Sequence, residues 1–205
     1  MKNKKLLLFL FAIALIIAII AILIFNATNN KKMAKNMKIG NNTTSQEIIE
    51  NILNIRSYET LIEVDVKSNK NENKYILKQK YLAPDTAEQE VVEPQNIAGV
   101  KIVKKGNELK LENSKLSLTK IYNNYQYIAE NMLDLNCFIE DYQKSEDASY
   151  KQNGNEIIMK TKNNEIEKRL YISTKSGLPT KMEIIDNSKK NEVYILYKEV
   201  NINNL

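Results

Sequence analysis

The side chains that most often carry enzyme chemistry are scarce in this chain. It contains no histidine and a single cysteine. These counts exclude histidine general-base catalysis, Ser-His-Asp and Cys-His nucleophilic catalysis, and zinc sites that use histidine or several thiolates. With only five glycines in 205 residues, the sequence also contains no glycine-rich loop of the kind that binds phosphate groups.

Two carboxylate pairs deserve consideration, because glycoside hydrolysis needs only two acidic side chains. They are Glu140 with Asp141 and Glu146 with Asp147. Both pairs lie on the polar side, or just past the end, of a predicted amphipathic helix, where charged residues commonly form a solvated face. Cys137 has no histidine to activate it and is predicted to be a partly buried small apolar residue. The sequence therefore predicts a protein that is not an enzyme, with no cofactor and no metal site.

The distribution of charge argues against a nucleic-acid partner. The formal net charge is +5, and Lys2, Lys4 and Lys5 precede a hydrophobic segment. Setting these three lysines aside leaves 27 basic against 25 acidic residues. The other lysines alternate with glutamates along predicted strands, and Arg56 and Arg169 are the only arginines. A nucleic-acid site usually shows a one-sided basic stripe, so this pattern predicts a solvated surface of mixed charge.

An unbroken run of twenty apolar residues extends from Leu6 to Phe25. As a helix it spans about 30 Å, which matches the hydrocarbon core of a membrane. A cleaved signal peptide has a shorter apolar region that ends in a small-x-small site, whereas Phe25 stands two positions before Ala27. Lipid attachment needs a cysteine directly after the run, and Cys137 lies far downstream. We therefore predict an uncleaved membrane anchor whose span ends at Leu6 and Phe25.

The anchor divides the chain into three predicted parts. Residues 1–25 form a short basic tail and the transmembrane anchor, residues 26–43 a polar stalk, and residues 44–205 a folded domain. Lysines flank the apolar run almost equally on both sides, so their count alone does not fix the orientation. A short basic tail before an apolar run is how an export signal begins. We therefore predict a single-pass protein of the cell membrane with its domain on the extracytoplasmic side.

Local patterns predict helices and strands within the domain. Thr44 to Glu47 fits a capping box that begins an amphipathic helix, and from Tyr58 onward apolar residues recur with period two, as in strands. Lys105-Gly106-Asn107 is predicted to be the turn of a hairpin. Four further strands are predicted, over Glu156–Thr161, Ile166–Ser173, Thr180–Ile185 and Glu192–Asn201.

A stripe of apolar residues interrupts the predicted strands. Its members recur at alternating spacings of four and three: Ile121, Tyr125, Ile128, Met132, Leu135, Ile139 and Tyr142. This spacing predicts one helix, or two short helices broken near residues 134–136. The stripe could line a ligand groove, but such stripes more often pack on a sheet. The order of elements predicts an α+β fold, with a curved antiparallel sheet that wraps a helical layer and follows one N-terminal transmembrane helix.

Several segments resemble known families. Tyr171–Glu183 resembles a strand–turn–strand in relatives of the outer-membrane lipoprotein carrier LolA, where a T/S-G-L-P turn links two strands of an open half-barrel. Tyr81–Pro84 and Val92–Gly99 are similar to the proline and glycine pattern of that fold. The stretch Ile121–Tyr142 resembles the spore germination lipoprotein family GerS of spore-forming Gram-positive clostridia. Together the resemblance covers roughly Tyr58 to Asn203.

The resemblance implies a LolA-like fold and a non-catalytic role at the cell or spore envelope. GerS pairs with and activates a zinc-dependent cortex amidase, an N-acetylmuramoyl-L-alanine amidase, so an amidase partner in sporulation and germination is implied here. The chain departs from GerS in lacking the lipobox cysteine, and a predicted transmembrane helix stands in its place. No short motif defines the interface, so the partner-binding residues stay unassigned.

Two other functions remain open. A lipid or lipoprotein carrier would use the concave apolar face of the half-barrel as a pocket. A cavity wide enough for an acyl chain would favour the carrier, whereas side chains that fill the concave face would favour partner binding. A membrane-tethered sensor is the third alternative, although a five-residue cytoplasmic tail leaves little to signal with.

Overall fold

The computed structural model describes residues 44–67, 71–123, 133–186, 188 and 191–203. Within these residues the chain forms two helices and one sheet of eleven antiparallel strands. In chain order the elements are α1 (Ser45–Leu53), β1 (Ser57–Lys67), β2 (Glu72–Leu82), β3 (Thr86–Glu93), β4 (Val100–Lys105), β5 (Glu108–Asn113), β6 (Leu118–Asn123), α2 (Leu135–Lys144), β7 (Ser149–Asn153), β8 (Glu156–Asn163), β9 (Ile166–Ser173), β10 (Pro179–Asp186) and β11 (Asn191–Asn203).

The sheet consists of two meanders that are joined in the middle. Its strand order is β6-β5-β4-β3-β2-β1-β11-β10-β9-β8-β7. The chain runs outward from β1 to β6, passes through α2, and returns inward from β7 to β11. Strands β1 and β11 then pair along their whole length, from Ser57 opposite Asn203 to Lys67 opposite Glu192. The edge strands β6 and β7 therefore lie at opposite ends of an open sheet.

The period-two pattern of the sequence produces one buried face. Val64 of β1 lies opposite Ile195 of β11, and Ile195 lies opposite Met182 of β10. All three side chains are fully buried. Because residues opposite one another on antiparallel strands share a face, these rows define an inner face. The alternate positions, such as Glu59 and Glu63, lie on the outer face, and the predicted alternation is confirmed.

Helix α1 begins where the capping box predicts. The Thr44 hydroxyl accepts a hydrogen bond from the Glu47 amide at 3.3 Å, and the Glu47 carboxylate accepts one from the Thr44 amide at 2.8 Å. Together these two bonds pair backbone donors that a helix terminus would otherwise leave without partners. The apolar stripe of α1 is buried, and its members are Ile48, Ile49 and Ile52.

Helix α2 lies across the inner face of the sheet. At its C-terminal end, Lys168 of β9 donates to the Asp141 carboxylate at 2.5 Å and the Thr161 hydroxyl of β8 donates to the Asp141 carbonyl at 3.3 Å. At its N-terminal end, the Tyr58 hydroxyl of β1 donates to the Asn136 side chain at 3.2 Å. Phe138, between these contacts, is fully buried. The predicted helical layer is thus observed over β8, β9 and β1.

The predicted helical stripe is wrong at its beginning. Ile121 belongs to strand β6, where it lies opposite Lys110 and is 53% exposed. A short apolar pattern does not distinguish a helix from a strand. Here the pairing of β6 with β5 in a hairpin determines the structure, and the helical spacing of a few apolar residues does not. Tyr125, Ile128 and Met132 lie outside the described residues, and α2 begins only at Leu135.

The predicted anchor from Leu6 to Phe25 and the stalk of residues 26–43 lie outside the described residues. Among the helices that the structure describes, none has the length and apolar character needed to cross a bilayer. The anchor and the three-part division of the chain stay predictions.

Replacing Phe138 by alanine tests the packing of α2 on the sheet. Because the ring is fully buried, we expect the free energy of unfolding to fall by roughly 3–5 kcal/mol. Urea denaturation of the compact unit Ile39–Leu205 measures the change. Leu118→Ala is the control, since Leu118 is 60% exposed and should change stability by about 0.5 kcal/mol or less. Equal effects of the two substitutions would contradict this packing.

Candidate functional site

The structure assigns separate contacts to the candidate carboxylates. The Glu140 carboxylate lies 3.6 Å from Lys144 within α2, whereas Asp141 contacts Lys168 of β9. Glu146 and Asp147 are exposed in the turn after the helix. The carboxylates therefore belong to a charged face of α2 and the turn after it, and one ion pair joins this helix to the sheet.

Cys137 lies on α2 and is partly buried, as the sequence predicts. Burial, and after it the nearby Asp134 carboxylate, raises the pKa of its thiol to about 11. A thiol with a raised pKa is a poor nucleophile near neutral pH. Within the described part of the chain, no three histidine, cysteine, aspartate or glutamate side chains are grouped closely enough to hold a metal ion.

A group of polar side chains lies between the N-terminal end of α2 and the inner face of the sheet. We call it the polar cluster, and its members are Tyr58, Gln79, Asp134, Asn136 and Tyr197. Each of them is buried. The side-chain amide of Gln79 donates to the side-chain oxygen Oε1 of Gln89 at 3.0 Å and also to the backbone carbonyl of Leu133 at 3.4 Å. The cluster therefore connects β1, β2, β3 and β11 with the start of α2.

Asp134 is the charged member of the polar cluster. It is the N-cap residue of α2, but its side chain does not cap the helix, and it is 2% exposed. Burial raises the pKa of its carboxyl to about 7, although Lys104 and Lys168 act in the opposite direction. Burial and then Asp134 raise the pKa of the Tyr197 hydroxyl well above its usual range. At neutral pH the carboxyl is thus divided between its charged and neutral forms.

Two atoms of the polar cluster have no hydrogen-bond partner among the described residues, namely Gln79 Oε1 and the Tyr197 hydroxyl. Buried polar atoms without a partner are costly, and ordered water commonly satisfies them. An acyl chain offers no hydrogen bonds to such atoms, and lipid pockets are lined mainly by apolar side chains. The part of the inner face around these two atoms therefore suits water or polar groups better than a lipid tail.

The outer face of β9 and β10 bears a network of charged groups. Arg169 contacts the Glu167 carboxylate at 2.5 Å, and Lys181 contacts the Glu183 carboxylate at 2.9 Å. Tyr171 donates a hydrogen bond to Glu183 at 2.8 Å. Although burial opposes the shift, Lys181 and Tyr171 hold the pKa of Glu183 below its ordinary value. This face is charged and internally paired, as the mixed-charge pattern predicts.

Both edge strands of the sheet are largely exposed, and they differ in their contacts with α1. At β7, the Tyr150 hydroxyl donates to Gln46 of α1 at 3.2 Å and the Ser45 hydroxyl donates to Gln152 at 2.5 Å. At β6, by contrast, Leu118 is 60% exposed and Ile121 is 53% exposed. Within the described residues β6 pairs only with β5. Sequence reasoning missed this edge because it assigned Ile121 to a helix.

Several solved structures are similar to this chain, all at low sequence identity. No family model matches the chain, and no curated protein matches it. Among similar solved structures is the CwlD amidase of Clostridioides difficile in complex with the GerS lipoprotein, at 24% identity over 78% of this chain and 97% of that chain, with a TM-score of 0.48. A LolA superfamily protein from Nitrosomonas europaea is similar at 13% identity over 80% and 95% of the two chains, with a TM-score of 0.41.

A conserved protein from Thermus thermophilus, described as uncharacterized, is similar at 12% identity over 80% of this chain and 90% of that chain, with a TM-score of 0.49. Over the described residues, the open antiparallel sheet with two helices confirms the α+β sheet that the sequence predicts, whereas the predicted N-terminal transmembrane helix lies outside those residues.

Asp134→Asn tests the protonation of the polar cluster. The pKa of the folded carboxyl is about 7, above its ordinary value of 3.8, so the folded state binds more protons between these values. Below about pH 4 this carboxyl makes its full contribution to the free energy of unfolding. That contribution is lost as the pH rises through 7, and the total loss is roughly 4 kcal/mol. We expect the variant, which cannot ionise, to lose this dependence and to be more stable than the wild type at pH 8.

Urea denaturation of the compact unit Ile39–Leu205 between pH 4 and pH 8 measures the effect. Asp147→Asn is the matched control, because Asp147 is exposed and should leave the pH dependence of the wild type intact. An unchanged pH dependence in Asp134→Asn would show that the carboxyl keeps its ordinary pKa in the folded protein.

Proposed function

We propose that this protein is a non-catalytic accessory protein of the bacterial envelope, and that its folded domain binds a partner protein. The partner that we propose is a peptidoglycan amidase of the N-acetylmuramoyl-L-alanine type, acting in sporulation and germination. The domain is held at the extracytoplasmic side of the membrane by the predicted anchor from Leu6 to Phe25.

One observation carries the choice of partner binding over lipid transport. Helix α2 and the polar cluster fill the inner face over β8, β9 and β1, with Phe138 fully buried and Asp134 at 2% exposure. A carrier of the kind considered from the sequence needs an open apolar concavity at this place. Because α2 and the polar cluster occupy the inner face over these three strands, the outer face and the sheet edges are the surfaces that we propose meet other molecules.

The identity of the partner rests on the resemblance of the sequence to GerS. It is carried by the stretch Ile121–Tyr142. The turn within Tyr171–Glu183, which is observed here as the connection between β9 and β10, resembles the wider group of LolA relatives. That GerS has been solved in complex with the CwlD amidase names the enzyme class to test first. A membrane helix in place of a lipid anchor keeps the domain at the same surface.

The proposal is tested by co-purification. The tagged full-length chain is expressed with a CwlD-type amidase, solubilised from membranes in mild detergent, and captured on the tag. We expect the amidase to be recovered in an equimolar amount, because a specific complex has a fixed stoichiometry. Quantitative mass spectrometry of the eluate measures the ratio.

The matched control carries residues 1–43 fused to an unrelated folded domain. It keeps the predicted anchor and stalk, so any capture that it gives comes from the membrane or the stalk and not from residues 44–205. Equal recovery of amidase by the control and the full chain, or no recovery by either, would remove the support for an amidase partner.

A further inference from the structure

The two ends of α2 are attached to the sheet in different ways. At the C-terminal end the contacts are direct, because Asp141 accepts hydrogen bonds from Lys168 and Thr161. The Ser145 hydroxyl adds a bond to the Lys162 carbonyl at 3.1 Å. At the N-terminal end the attachment runs through the polar cluster, where two buried atoms have no partner among the residues that the structure describes. The hydrogen bonding beneath the start of α2 is therefore incomplete.

The first of these two atoms is Gln79 Oε1. Gln79 is fully buried, and its amide nitrogen donates to Gln89 and to the backbone carbonyl of Leu133. A backbone carbonyl can only accept, so the nitrogen must face Leu133 and the orientation of the amide group is fixed. The oxygen then faces away from both partners and needs a donor, since a buried polar atom without a hydrogen bond is costly.

The second atom is the hydroxyl oxygen of Tyr197, which lies on the other side of β1. Gln79 lies opposite Thr60 of β1, and Tyr197 lies opposite Ile62, the next residue of β1 on the inner face. The spacing of strands and of alternate residues separates the Cα atoms of Gln79 and Tyr197 by roughly 12 Å. Side chains as long as glutamine and tyrosine can bring their ends within reach of one shared water molecule.

Further polar groups lie around the same space. Thr60 is 3% exposed, and its hydroxyl donates to the Leu61 carbonyl at 3.5 Å, which is the outer limit for such a bond. A hydroxyl oxygen can also accept hydrogen bonds. Burial, and after it the charge of Asp134, raises the pKa of both the Tyr58 and the Tyr197 hydroxyl. Asp134 is therefore close to this part of the sheet as well.

Water fits these groups better than an ion or a lipid does. It donates to Gln79 Oε1 and accepts from a tyrosine hydroxyl, and a buried water typically makes about three such bonds. A cation would meet Lys168, which is buried, and Lys104, since the charges of both lysines already act on Asp134. An acyl chain would leave both atoms without hydrogen bonds. The ligand that these groups favour is thus small, neutral and able both to donate and to accept.

We propose that one ordered water molecule is bound in the polar cluster, where it donates to Gln79 Oε1 and accepts from the Tyr197 hydroxyl. It joins β2 to β11 across β1 and completes the attachment of α2 at its N-terminal end. Its second proton has the Thr60 hydroxyl oxygen and the Asp134 carboxylate as acceptors. This site goes beyond the proposed function and does not depend on the identity of the partner protein.

A crystal structure of the full-length chain in mild detergent, at a resolution that shows ordered water, tests the site directly. We expect a single peak of density at about 2.6–3.2 Å from both Gln79 Oε1 and the Tyr197 hydroxyl oxygen. A structure in which other ordered waters are visible, and these two atoms have none between them, would overturn the proposal.

Tyr197→Phe tests the same site through stability. If the hydroxyl binds water, we expect its removal to raise the unfolding equilibrium constant about fivefold, as the loss of one ordinary hydrogen bond does. If the hydroxyl has no partner, its removal leaves stability unchanged or increases it. Urea denaturation of the full-length chain in mild detergent, followed by circular dichroism, separates these results.

Tyr58→Phe is the matched control, because it removes the same atom from a buried hydroxyl that donates to Asn136 at 3.2 Å. We expect it to raise the unfolding equilibrium constant about fivefold as well. A destabilising Tyr58→Phe together with a neutral or stabilising Tyr197→Phe would contradict the bound water.

A double-mutant cycle tests whether the two atoms share one water. Gln79→Met keeps the length of the side chain and removes one of the two partners of the water. In this background we expect Tyr197→Phe to raise the unfolding equilibrium constant by only about twofold or less, because the water is already lost. An equal effect in both backgrounds would contradict a shared water. Where Gln79→Met does not fold, the crystal structure of the wild type decides the question.

The outcomes distinguish this proposal from the proposed function. A site without water would overturn the water alone, and capture of the amidase would still support an accessory protein. Density for an acyl chain in place of the water would overturn both the water and the choice of partner binding over lipid transport.

Discussion

Strands β1 and β11 come from opposite ends of the domain and pair along their whole length, from Ser57 with Asn203 to Lys67 with Glu192. Bringing such distant segments together costs loop-closure entropy, which burial along the shared rows offsets. Val64 and Ile195, at the centre, are fully buried. This pairing joins two meanders into one sheet. The inner face that α2 covers therefore exists only once β1 and β11 have paired.

The same pairing sets the two ends of the sheet apart. Because the chain runs outward from β1 and returns toward β11, β6 and β7 lie at the two ends of the sheet, and they do not pair with each other among the described residues. Helix α1 precedes β1 in the chain yet contacts β7 through Ser45 and Gln46. Both edge strands remain largely exposed, with Leu118 and Ile121 on β6 and Tyr150 on β7 among the exposed side chains.

Much of the fold could be predicted from local patterns, and the site could not. The capping box at Thr44 and the alternation of apolar and polar residues in β1 and β8–β11 depend on residues that are near neighbours in the sequence. The sequence alone therefore predicts them. Strand β7 was missed because Ser149–Asn153 is exposed throughout and has no apolar alternation. The polar cluster unites Asp134 with Gln79 and Tyr197 from distant strands, and no spacing in the sequence connects them.

We propose that α2 and the polar cluster, and not a lipid, occupy the inner face over β8, β9 and β1. Native mass spectrometry of the full-length protein, extracted from its own membranes in mild detergent and then freed of detergent in the gas phase, tests it directly. We expect the mass of the polypeptide alone, or with a bound protein partner. A stoichiometric mass increment of an acyl lipid that persists after detergent removal, and that Phe138→Ala alters, would contradict it and make the protein a carrier.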